Sequence, residues 1–484
     1  MRGRGKGAGG VPPVRGGPAA GGALPGPGAP RPFHLLYALR YFRYGLVLCL
    51  VPMAQALLAF DLSAFYTALG QDAAILLAVG AASLVLRRAT AFWLDGAGLH
   101  CETGIFRRVR TVYAPAALAA LEVSRPVHCR LLAASKVTLY FKNYARPRTA
   151  ALYLRREDAA ALAQALLPVR GDVRIFAPTG FERLSLVMLS ANLLTSCAFA
   201  WMTLERASRL MPWDLQALAG QNLARLSALG AGLLGTGASA AATLALAAST
   251  VTVLYSFVHT FGFRSYRSGG VLVSRGGLVT RIERRVALGA VSAVEVRRTP
   301  AARLLGRYPV YISAGAFRGG DIPLMVYRRG APHTPQTLVP GYRPAAQPLC
   351  QPARKSPVQY LWRPAAALAL CLGLTGAAAA RMPGMLPVLA LGDVLLAAGL
   401  AAAVEALFTE GLAADGRTVV LRFTRRFTRC EVCVLTPDIA YRLFETPFAA
   451  AGGRCDVTVY TPCGQRYRVR GALRHLAERM AFGL

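Results

Sequence analysis

The amino-acid sequence predicts an α+β membrane protein in which three transmembrane helical hairpins alternate with three small antiparallel β-barrel modules in the cytoplasm. The first supporting observation is composition: the 484 residues are 54% hydrophobic and 16% charged, yet the formal net charge is +33. The second is six apolar runs that form three pairs, and the third is a repeat in the segments that follow them. A soluble nucleic-acid-binding protein would explain the charge but not the hydropathy, and a disordered chain would have low hydrophobicity.

The chain begins with a basic arm, residues 1–33, which holds eleven glycines, seven prolines and no acidic residue. This composition buries too little apolar surface to offset the entropy of ordering, so it predicts disorder. The apolar run that follows starts too late for a signal peptide. Positive charge at this position favours retention of the N-terminus in the cytoplasm.

Helical hairpins are predicted at residues 34–86, 182–258 and 361–408, because each region holds two apolar runs near the roughly 20 residues that a span requires. The runs are Tyr44–Phe60, Ala68–Leu86, Leu184–Leu204, Leu229–Phe257, Pro364–Ala380 and Leu386–Phe408. The connections within pairs carry four of the 56 basic residues, and the remaining 52 lie outside them. This asymmetry predicts a multi-pass protein with cytoplasmic N- and C-termini. The connection at residues 205–228 is predicted to lie at the outer interface as an amphipathic helix.

The three soluble modules, residues 87–170, 259–330 and 409–484, are related by an internal repeat. Glu122 follows Gly104 by 18 residues, and Glu295 follows Gly277 by the same interval. An Arg-Leu-Leu trio begins eight residues after each glutamate, at Arg130 and Arg303. The third copy is more divergent. Its Thr-Pro at residues 446–447 matches that at residues 299–300, which places Arg442 where a glutamate is expected.

Short alternating runs between turn signals predict antiparallel strands in each module. The segments Glu157–Leu167 and Gly471–Phe482 have helical periodicity and are predicted to close the first and third modules. Strands plus a terminal helix predict a small barrel plugged at one mouth. The second module leads instead into residues 331–360, where seven prolines predict an extended linker.

This order of hairpin, Gly-Ile/Leu-x-x-Arg, Leu/Val-Glu-Val and Arg-Leu-Leu-Ala/Gly resembles the bacterial pleckstrin-homology-like (PH-like) membrane proteins of the YdbS/YdbT type. The matching residues are Gly104-Ile105, Leu121-Glu122-Val123, Arg130-Leu131-Leu132-Ala133, Gly277-Leu278, Val294-Glu295-Val296 and Arg303-Leu304-Leu305-Gly306. The resemblance covers residues 34–484 and is closest to members with three modules. It implies a bacterial inner-membrane location, PH-like modules, no established enzymatic chemistry and a short membrane partner of the same type.

Few residues suggest chemistry. The cysteines Cys430, Cys433, Cys455 and Cys463 could supply four thiolates to zinc, but their spacing on strands favours a role as small apolar core residues. The histidines share no metal-ligand spacing, and neither a nucleophile–base set nor a phosphate-binding loop is visible. The sequence therefore predicts no catalytic residue, no metal and no cofactor.

Two features are candidate sites at the membrane. Asp393 lies inside the last apolar run, where a carboxylate is costly and marks a functional candidate; it could alternatively pair with Arg381. Basic clusters recur near the start of each module and are candidate contacts for anionic lipid headgroups. These are Arg107, Arg108, Arg110, Arg281, Arg284, Arg285, Arg425, Arg426 and Arg429. The repeat-signature residues are predicted to be structural: Gly104, Glu122, Arg130, Gly277, Glu295 and Arg303. Each glutamate is predicted to form an ion pair inside its module, with Arg130 and Arg303 as the candidate partners.

The leading functional prediction is a non-enzymatic inner-membrane scaffold that binds proteins or lipids, in envelope stress or defence by resemblance. Expected partners are the bilayer, with its anionic headgroups as candidate ligands, and a small homologous membrane protein or a second copy, without nucleic acid. A transporter or lipid-translocating protein that uses the hairpin bundle and Asp393 is the alternative, and a zinc enzyme is the third.

Overall fold

The computed structural model describes most of the chain after the N-terminal arm. The described residues are 30–37, 52–53, 55–57, 59, 61–104, 107–142, 149–170, 173–178, 180–190, 215–234, 236–319, 322–328, 335–343, 357–381, 386–415, 418–425, 427–435 and 439–482. Within them, the protein combines α-helices with antiparallel sheets, which confirms the mixed helix and sheet prediction.

Each soluble module consists of two groups of three antiparallel strands. The first group is named the leading half-sheet and the second the trailing half-sheet. In the first module the leading half-sheet is β1 (Ala91–Leu94), β2 (Leu99–Thr103) and β3 (Val109–Tyr113). The trailing half-sheet is β4 (Leu118–Arg125), β5 (Ala134–Phe141) and β6 (Thr149–Arg155). Helix α2 (Val127–Leu131) joins β4 to β5, and α3 (Arg156–Leu166) follows β6, as its sequence periodicity predicted.

The second module repeats this plan. An edge strand, β7 (Val173–Phe176), precedes it. Its leading half-sheet is β8 (Arg264–Ser268), β9 (Val271–Gly276) and β10 (Arg281–Ala287), and its trailing half-sheet is β11 (Val291–Arg298), β12 (Tyr308–Ala314) and β13 (Met325–Tyr327). Helix α4 (Gly180–Ser190) packs on this module, and α7 (Pro300–Leu305) joins β11 to β12.

The third module has the same order of strands. They are β14 (Gly411–Asp415), β15 (Thr418–Arg425) and β16 (Thr428–Val434), then β17 (Ala440–Phe444), β18 (Arg454–Tyr460) and β19 (Arg466–Leu473). The short α11 (Pro447–Ala450) follows β17, and α12 (Arg474–Phe482) closes the module. The repeat is therefore a structural repeat in all three copies.

The modules are fused through their sheets. The trailing half-sheet of the first module pairs with the leading half-sheet of the second, which gives, with β7, a seven-stranded sheet in the order β6-β5-β4-β10-β9-β8-β7. The next junction gives a six-stranded sheet in the order β13-β12-β11-β16-β15-β14. Among the described residues every sheet is open, so the predicted separate barrels are not confirmed. The physical reason is that β4 and β11 hydrogen-bond to a strand of the next module.

Three helices are long and apolar enough to cross a membrane: Leu62–Arg88 and the segments Tyr360–Ala379 and Gly392–Thr409. They belong to α1 (Leu62–Arg88), α9 (Pro357–Arg381) and α10 (Leu386–Thr409), of which α9 and α10 pack as a hairpin. Their length and composition indicate association with a membrane. The predicted runs Tyr44–Phe60 and Leu184–Leu204 lie largely outside the described residues.

The second hairpin differs from its prediction. The helix predicted in the connection at residues 205–228 is present over its described part, but α5 (Leu215–Leu234) continues beyond residue 228 into the run Leu229–Phe257. Helix α6 (Thr236–Thr260) begins two residues later and packs against α5, so the long run Leu229–Phe257 is divided between two helices.

Two segments predicted to be irregular belong to module cores. Residues 30–33 were assigned to the disordered arm, but Arg31 pairs with Phe92 as a β-bridge and Phe33 is 1% exposed in the first core. In the proline-rich linker, α8 (Pro335–Leu338) is followed by Val339 and Tyr342, which are buried in the second core. Apolar side chains at these positions gain more from burial than the chain loses by ordering.

The repeat glycines Gly104 and Gly277 form equivalent tight turns before β3 and β10. Their φ angles are 119° and 99°, in the region that favours glycine. A Cβ atom at either position would lie 2.0 Å from a carbonyl oxygen, that of Arg107 or Thr280. The spacing conserved between the two copies therefore has a steric origin.

We expect Gly277→Ala to lower the free energy of unfolding by roughly 2–4 kcal/mol, because it combines backbone strain with a backbone clash. Thermal unfolding of the full-length protein in detergent micelles measures this change. Gly289→Ala is the matched control, since nothing lies within 4 Å of its Cβ position. Equal effects of the two substitutions would contradict the assignment.

Candidate functional site: the seams between modules

The first seam is the antiparallel pairing of β4 with β10. It runs from Arg125 opposite Arg281 to Ala120 opposite Val286. At its centre Glu122 lies opposite Arg284, and Arg284 Nε donates to Glu122 Oε2 at 2.7 Å. The two side chains are 18% and 15% exposed, so solvent screens this ion pair only partly. Glu122 thus joins two modules, and the predicted ion pair inside its own module is wrong.

Arg285 extends the first seam to the helix of the preceding module. Its Nη1 donates to the carbonyl oxygens of Ala163 and Leu167 at 2.9 Å each, at the C-terminus of α3. The Ala163 carbonyl also accepts the Leu167 amide at 3.1 Å, and a cation at this helix end interacts favourably with the helix dipole. Arg285 is 6% exposed and also pairs with Glu283 at 2.9 Å. The second module therefore caps a helix of the first.

The second seam is the pairing of β11 with β16, from Ala293 opposite Val434 to Arg298 opposite Arg429. Arg298 Nη2 donates to Glu431 Oε2 across the seam at 3.1 Å. Glu295 pairs with Arg297 at 2.7 Å on its own strand, and that guanidinium lies 4.0 Å from the Tyr311 ring centroid. Glu295 therefore forms an ion pair inside its own module, as predicted, but its partner is Arg297 and not Arg303.

The signature arginines Arg130 and Arg303 reach across equivalent places in the two seams. Arg130 Nη1 donates to the carbonyl oxygen of Leu278 at 3.2 Å, in the turn between β9 and β10. Arg303 donates to the carbonyl oxygen of Phe427, in the turn between β15 and β16, and its Nη1 bonds Glu405 at 2.6 Å. Each arginine therefore docks its module on the hairpin turn of the next one.

These turns lie at the ends of long helices. The amides of Gly277 and Leu278 donate to the carbonyls of Phe261 and Val258, both at 2.9 Å, at the end of α6. In the third module Arg429 joins Arg303 on Glu405 of α10 at 2.7 Å. The last turn of α10 belongs to a candidate membrane span, so the second seam lies at the level where that span ends.

The exit from the third hairpin is fixed by a buried carboxylate. Glu410 follows α10 and is 3% exposed. It accepts hydrogen bonds from Tyr360 Oη at 3.1 Å and from the Arg470 amide at 3.0 Å. Because Tyr360 belongs to α9 and Arg470 to β19, one side chain holds both helices of the hairpin to the last strand of the module.

Two leucines beside the signature arginines are unusually exposed. Leu131 is 81% exposed and Leu304 is 89% exposed, and they occupy the same position in the repeat. Leu278 and Val279, in the turn that Arg130 contacts, are also about half exposed, at 45% and 43%. Apolar side chains that recur at one exposed position mark a surface that contacts an apolar phase or a partner.

The predicted headgroup-binding arginines divide into two groups. Arg107, Arg108, Arg110, Arg281 and Arg425 are exposed. In the first seam Arg284 is partly buried and Arg285 is buried, and Arg429 is paired with Glu405, so these three are engaged by the protein itself. The headgroup prediction is wrong for Arg284 and Arg285, because their guanidinium groups are desolvated and hydrogen-bonded. Arg426 lies outside the described residues.

Asp393 lies on α10 and faces α9. Its Oδ2 accepts a hydrogen bond from Thr375 Oγ1 at 2.8 Å. A Cβ atom on the adjacent Gly392 would lie 3.4 Å from Cys371 Sγ, which shows how closely the two helices approach. The structure thus gives Asp393 a partner in Thr375 on the facing helix. A polar contact between close helices stabilises their packing.

The cysteines considered for zinc are dispersed. Within the part of the chain that the structure describes, no group of three or more potential metal ligands is found. Burial raises the pKa of Cys430 to about 12 and that of Cys455 to about 11, which disfavours the thiolate that metal binding requires. These thiols behave as small core side chains.

No family model, no curated protein and no solved structure matches the chain. The seam residues therefore have to be interpreted from their own contacts. The sequence did not reveal Arg298, Glu405 or Glu431, although the recurrence of the leucine after each signature arginine was a signal for Leu131 and Leu304.

We expect Glu122→Gln to lower the free energy of unfolding by about 1–3 kcal/mol, because Arg284 keeps its charge in a partly desolvated place. Hydrogen exchange should show the loss in β4 and β10 together. Glu157→Gln is the control, since Glu157 is exposed on α3. Faster exchange in only one of the two strands would argue against the seam as the site of the effect.

Acidification should weaken the same region through Glu283. Burial alone would raise the pKa of Glu283, but Arg275 and Arg285 outweigh burial and hold it below its ordinary 4.5. A carboxylate whose pKa is depressed in the folded protein stabilises it above its unfolded pKa, and this contribution is lost as the pH falls through the folded pKa.

The unfolding temperature of the unmodified protein should therefore fall more steeply below pH 4.5 than that of Glu283→Gln. At pH 7 the variant should be less stable by about 1–3 kcal/mol, and the two should converge in acid. Parallel pH profiles for the two proteins would refute a role for this carboxylate.

Proposed function

We propose that this protein is a non-enzymatic bacterial inner-membrane scaffold whose three PH-like modules form one continuous array on the cytoplasmic face. The observation that carries the proposal is the pair of seams. They convert three modules into a single body through backbone hydrogen bonds and ion pairs, instead of leaving them as independent domains on linkers. A rigid array suits a protein that holds partners at fixed positions.

The proposed attachment to the membrane extends from three candidate helices to three hairpins of six helices, in the topology that the basic residues predict. Support comes from Glu405 and Glu410, which join the ends of α9 and α10 to the second seam and the third module. Anchors fixed in this way determine the distance and orientation of the array relative to the bilayer.

A second part of the proposal is contact with the lipid surface. Leu131 and Leu304 lie beside turns that sit at helix ends, so their side chains would reach the interface between headgroups and acyl chains. The exposed Arg107, Arg108 and Arg281 would add attraction to anionic headgroups, about 1 kcal/mol for each charge near the surface. Proteins that dock on the array would then meet both the modules and the bilayer.

The resemblance to PH-like membrane proteins supports the proposed partners, namely a small homologous membrane protein or another copy of this chain. On the same resemblance we propose a role in envelope stress or defence. The alternative, a transporter built from the hairpin bundle, depends on Asp393. The hydrogen bond from Thr375 to that carboxylate favours a packing role instead.

The proposed topology predicts which introduced cysteines react with a membrane-impermeant maleimide. Ala64→Cys, at the exposed start of α1, should be labelled in intact spheroplasts, because the connection of the first hairpin lies outside. Arg466→Cys, exposed on β19, should be labelled only after permeabilisation.

The unmodified chain, with its ten native cysteines, supplies the background. Labelling of Arg466→Cys in intact spheroplasts, or release of the protein by alkaline carbonate, would overturn the proposed anchoring.

A further inference from the structure

The same kind of strand pairing forms both seams, and among the described residues one strand at each end of the array lacks it. In each seam the first strand of a trailing half-sheet, β4 or β11, pairs with the last strand of the next leading half-sheet, β10 or β16. In the part of the chain that the structure describes, the leading half-sheet of the first module and the trailing half-sheet of the third pair with no strand of another module. Among the described residues, β3 accordingly pairs only with β2, and β17 only with β18.

The exposure of the end strands differs from that of their counterparts in the seams. β11 is buried at six of its eight positions, in keeping with a central strand, whereas β17 alternates between exposed and half-buried residues. Phe444 on β17 is 49% exposed, and Val109 and Val112 on β3 are 48% and 50% exposed. An accessible strand edge with apolar side chains is a template for pairing with another strand.

We propose that the third module of one copy pairs with the first module of another, β17 against β3, and so continues the array from chain to chain. The occupant of each edge is a second copy because both halves of the contact are present in every chain. The inference deepens the proposed scaffold function and rests on it for the biological role, whereas the contact itself follows from the internal seams.

The repeat predicts the register of this contact. Thr111 and Arg284 each follow the turn glycine of their module by seven residues, and Arg442 occupies the position of Glu122 and Glu295. Since Glu122 lies opposite Arg284, Arg442 should lie opposite Thr111. The same antiparallel alignment places Phe444 opposite Val109, Tyr441 opposite Val112 and Glu445 opposite Arg108.

The side chains in this register are compatible. Phe444 and Val109 form an apolar cross-strand pair, and Glu445 with Arg108 joins opposite charges, which are favourable neighbours in antiparallel sheets. In the first seam the corresponding end pair is Arg281 opposite Arg125, two like charges. The charges at that end therefore favour the contact between chains more than they favour the first seam.

The contact is heterologous, because a different strand is used at each end. Such contacts build open chains or closed rings of subunits and not simple twofold dimers. A substitution that prevents pairing of one end strand, β3 or β17, leaves the other end strand able to pair. Two differently blocked proteins should therefore each be unable to self-associate, and should combine with each other to form a dimer that cannot grow.

The experiment uses full-length protein in detergent micelles, with mass measured over a concentration series. Phe444→Lys blocks β17 and Val112→Lys blocks β3, since each places a charge on an exposed edge position. We expect the unmodified protein to form dimers and larger species, each variant alone to remain monomeric, and an equimolar mixture to stop at dimers. Formation of that mixed dimer also shows that both variants are folded.

A disulfide tests the register. When separate Thr111→Cys and Arg442→Cys proteins are mixed under oxidation, they should cross-link, because directly opposed strand residues meet the distance that a disulfide needs. Arg466→Cys replaces Arg442→Cys in the control mixture and should not cross-link.

Three results would overturn the inference: an unmodified protein that stays monomeric at all concentrations, self-association of Phe444→Lys alone, or equal cross-linking of the control. None of these results bears on the maleimide topology, so the inference can fail while the proposed membrane scaffold stands.

Discussion

The antiparallel pairing between one module and the next is the interaction on which the rest of this structure depends. A strand such as β4 has hydrogen-bonding groups on both edges, and a buried edge without partners would cost several kcal/mol. The next module supplies those partners through β10, and β16 does the same for β11. The ion pair of Glu122 with Arg284 and the cap that Arg285 places on α3 follow from that pairing, because both lie along the paired strands. In separate barrels the backbone groups of β4 and β11 would find their hydrogen-bond partners within their own module. The modules and the helical hairpins attached to them would then be free to move independently of one another.

Much of this architecture was accessible from the sequence, and the limits of that prediction have physical causes. The spacing of Gly104 and Gly277 identified two copies of one module, because a tight turn with positive φ admits few other residues. The helix at Arg156–Leu166 was predicted from periodicity alone. Strand partners were not predicted, since local pattern determines that a segment is a strand but not which edge it joins. One signal was available: β11 reads Val-Ser-Ala-Val-Glu-Val, nearly apolar on both faces, and strands buried on both faces lie inside sheets.

In the candidate site, too, the local features could be predicted from the sequence but the tertiary contacts could not. Exposed arginines near each module were recognised from composition, but Arg284 and Arg285 look no different in sequence from Arg107 and Arg108. Their burial depends on which strand lies beside them, and that is a property of the tertiary fold. Glu405 is the opposite case, a residue whose role is larger than its sequence context indicates. In the sequence it is a single acidic residue near the end of an apolar run. In the structure it binds two arginines from two modules, Arg303 and Arg429.

The cap that Arg285 places on α3 has a consequence for synthesis of the chain. Helix α3 and strand β4 leave the ribosome well before Arg285 and strand β10, which complete their contacts. Roughly 150 residues separate the end of β4 from the start of β10. At ordinary rates of bacterial translation, synthesis of that segment takes about 8 to 30 s. Throughout that interval α5 and α6 are synthesised while the edge of β4 has no partner from the second module. The first module therefore completes its contacts only after the helices that follow it have been made, so the folding of the two modules is coupled in time.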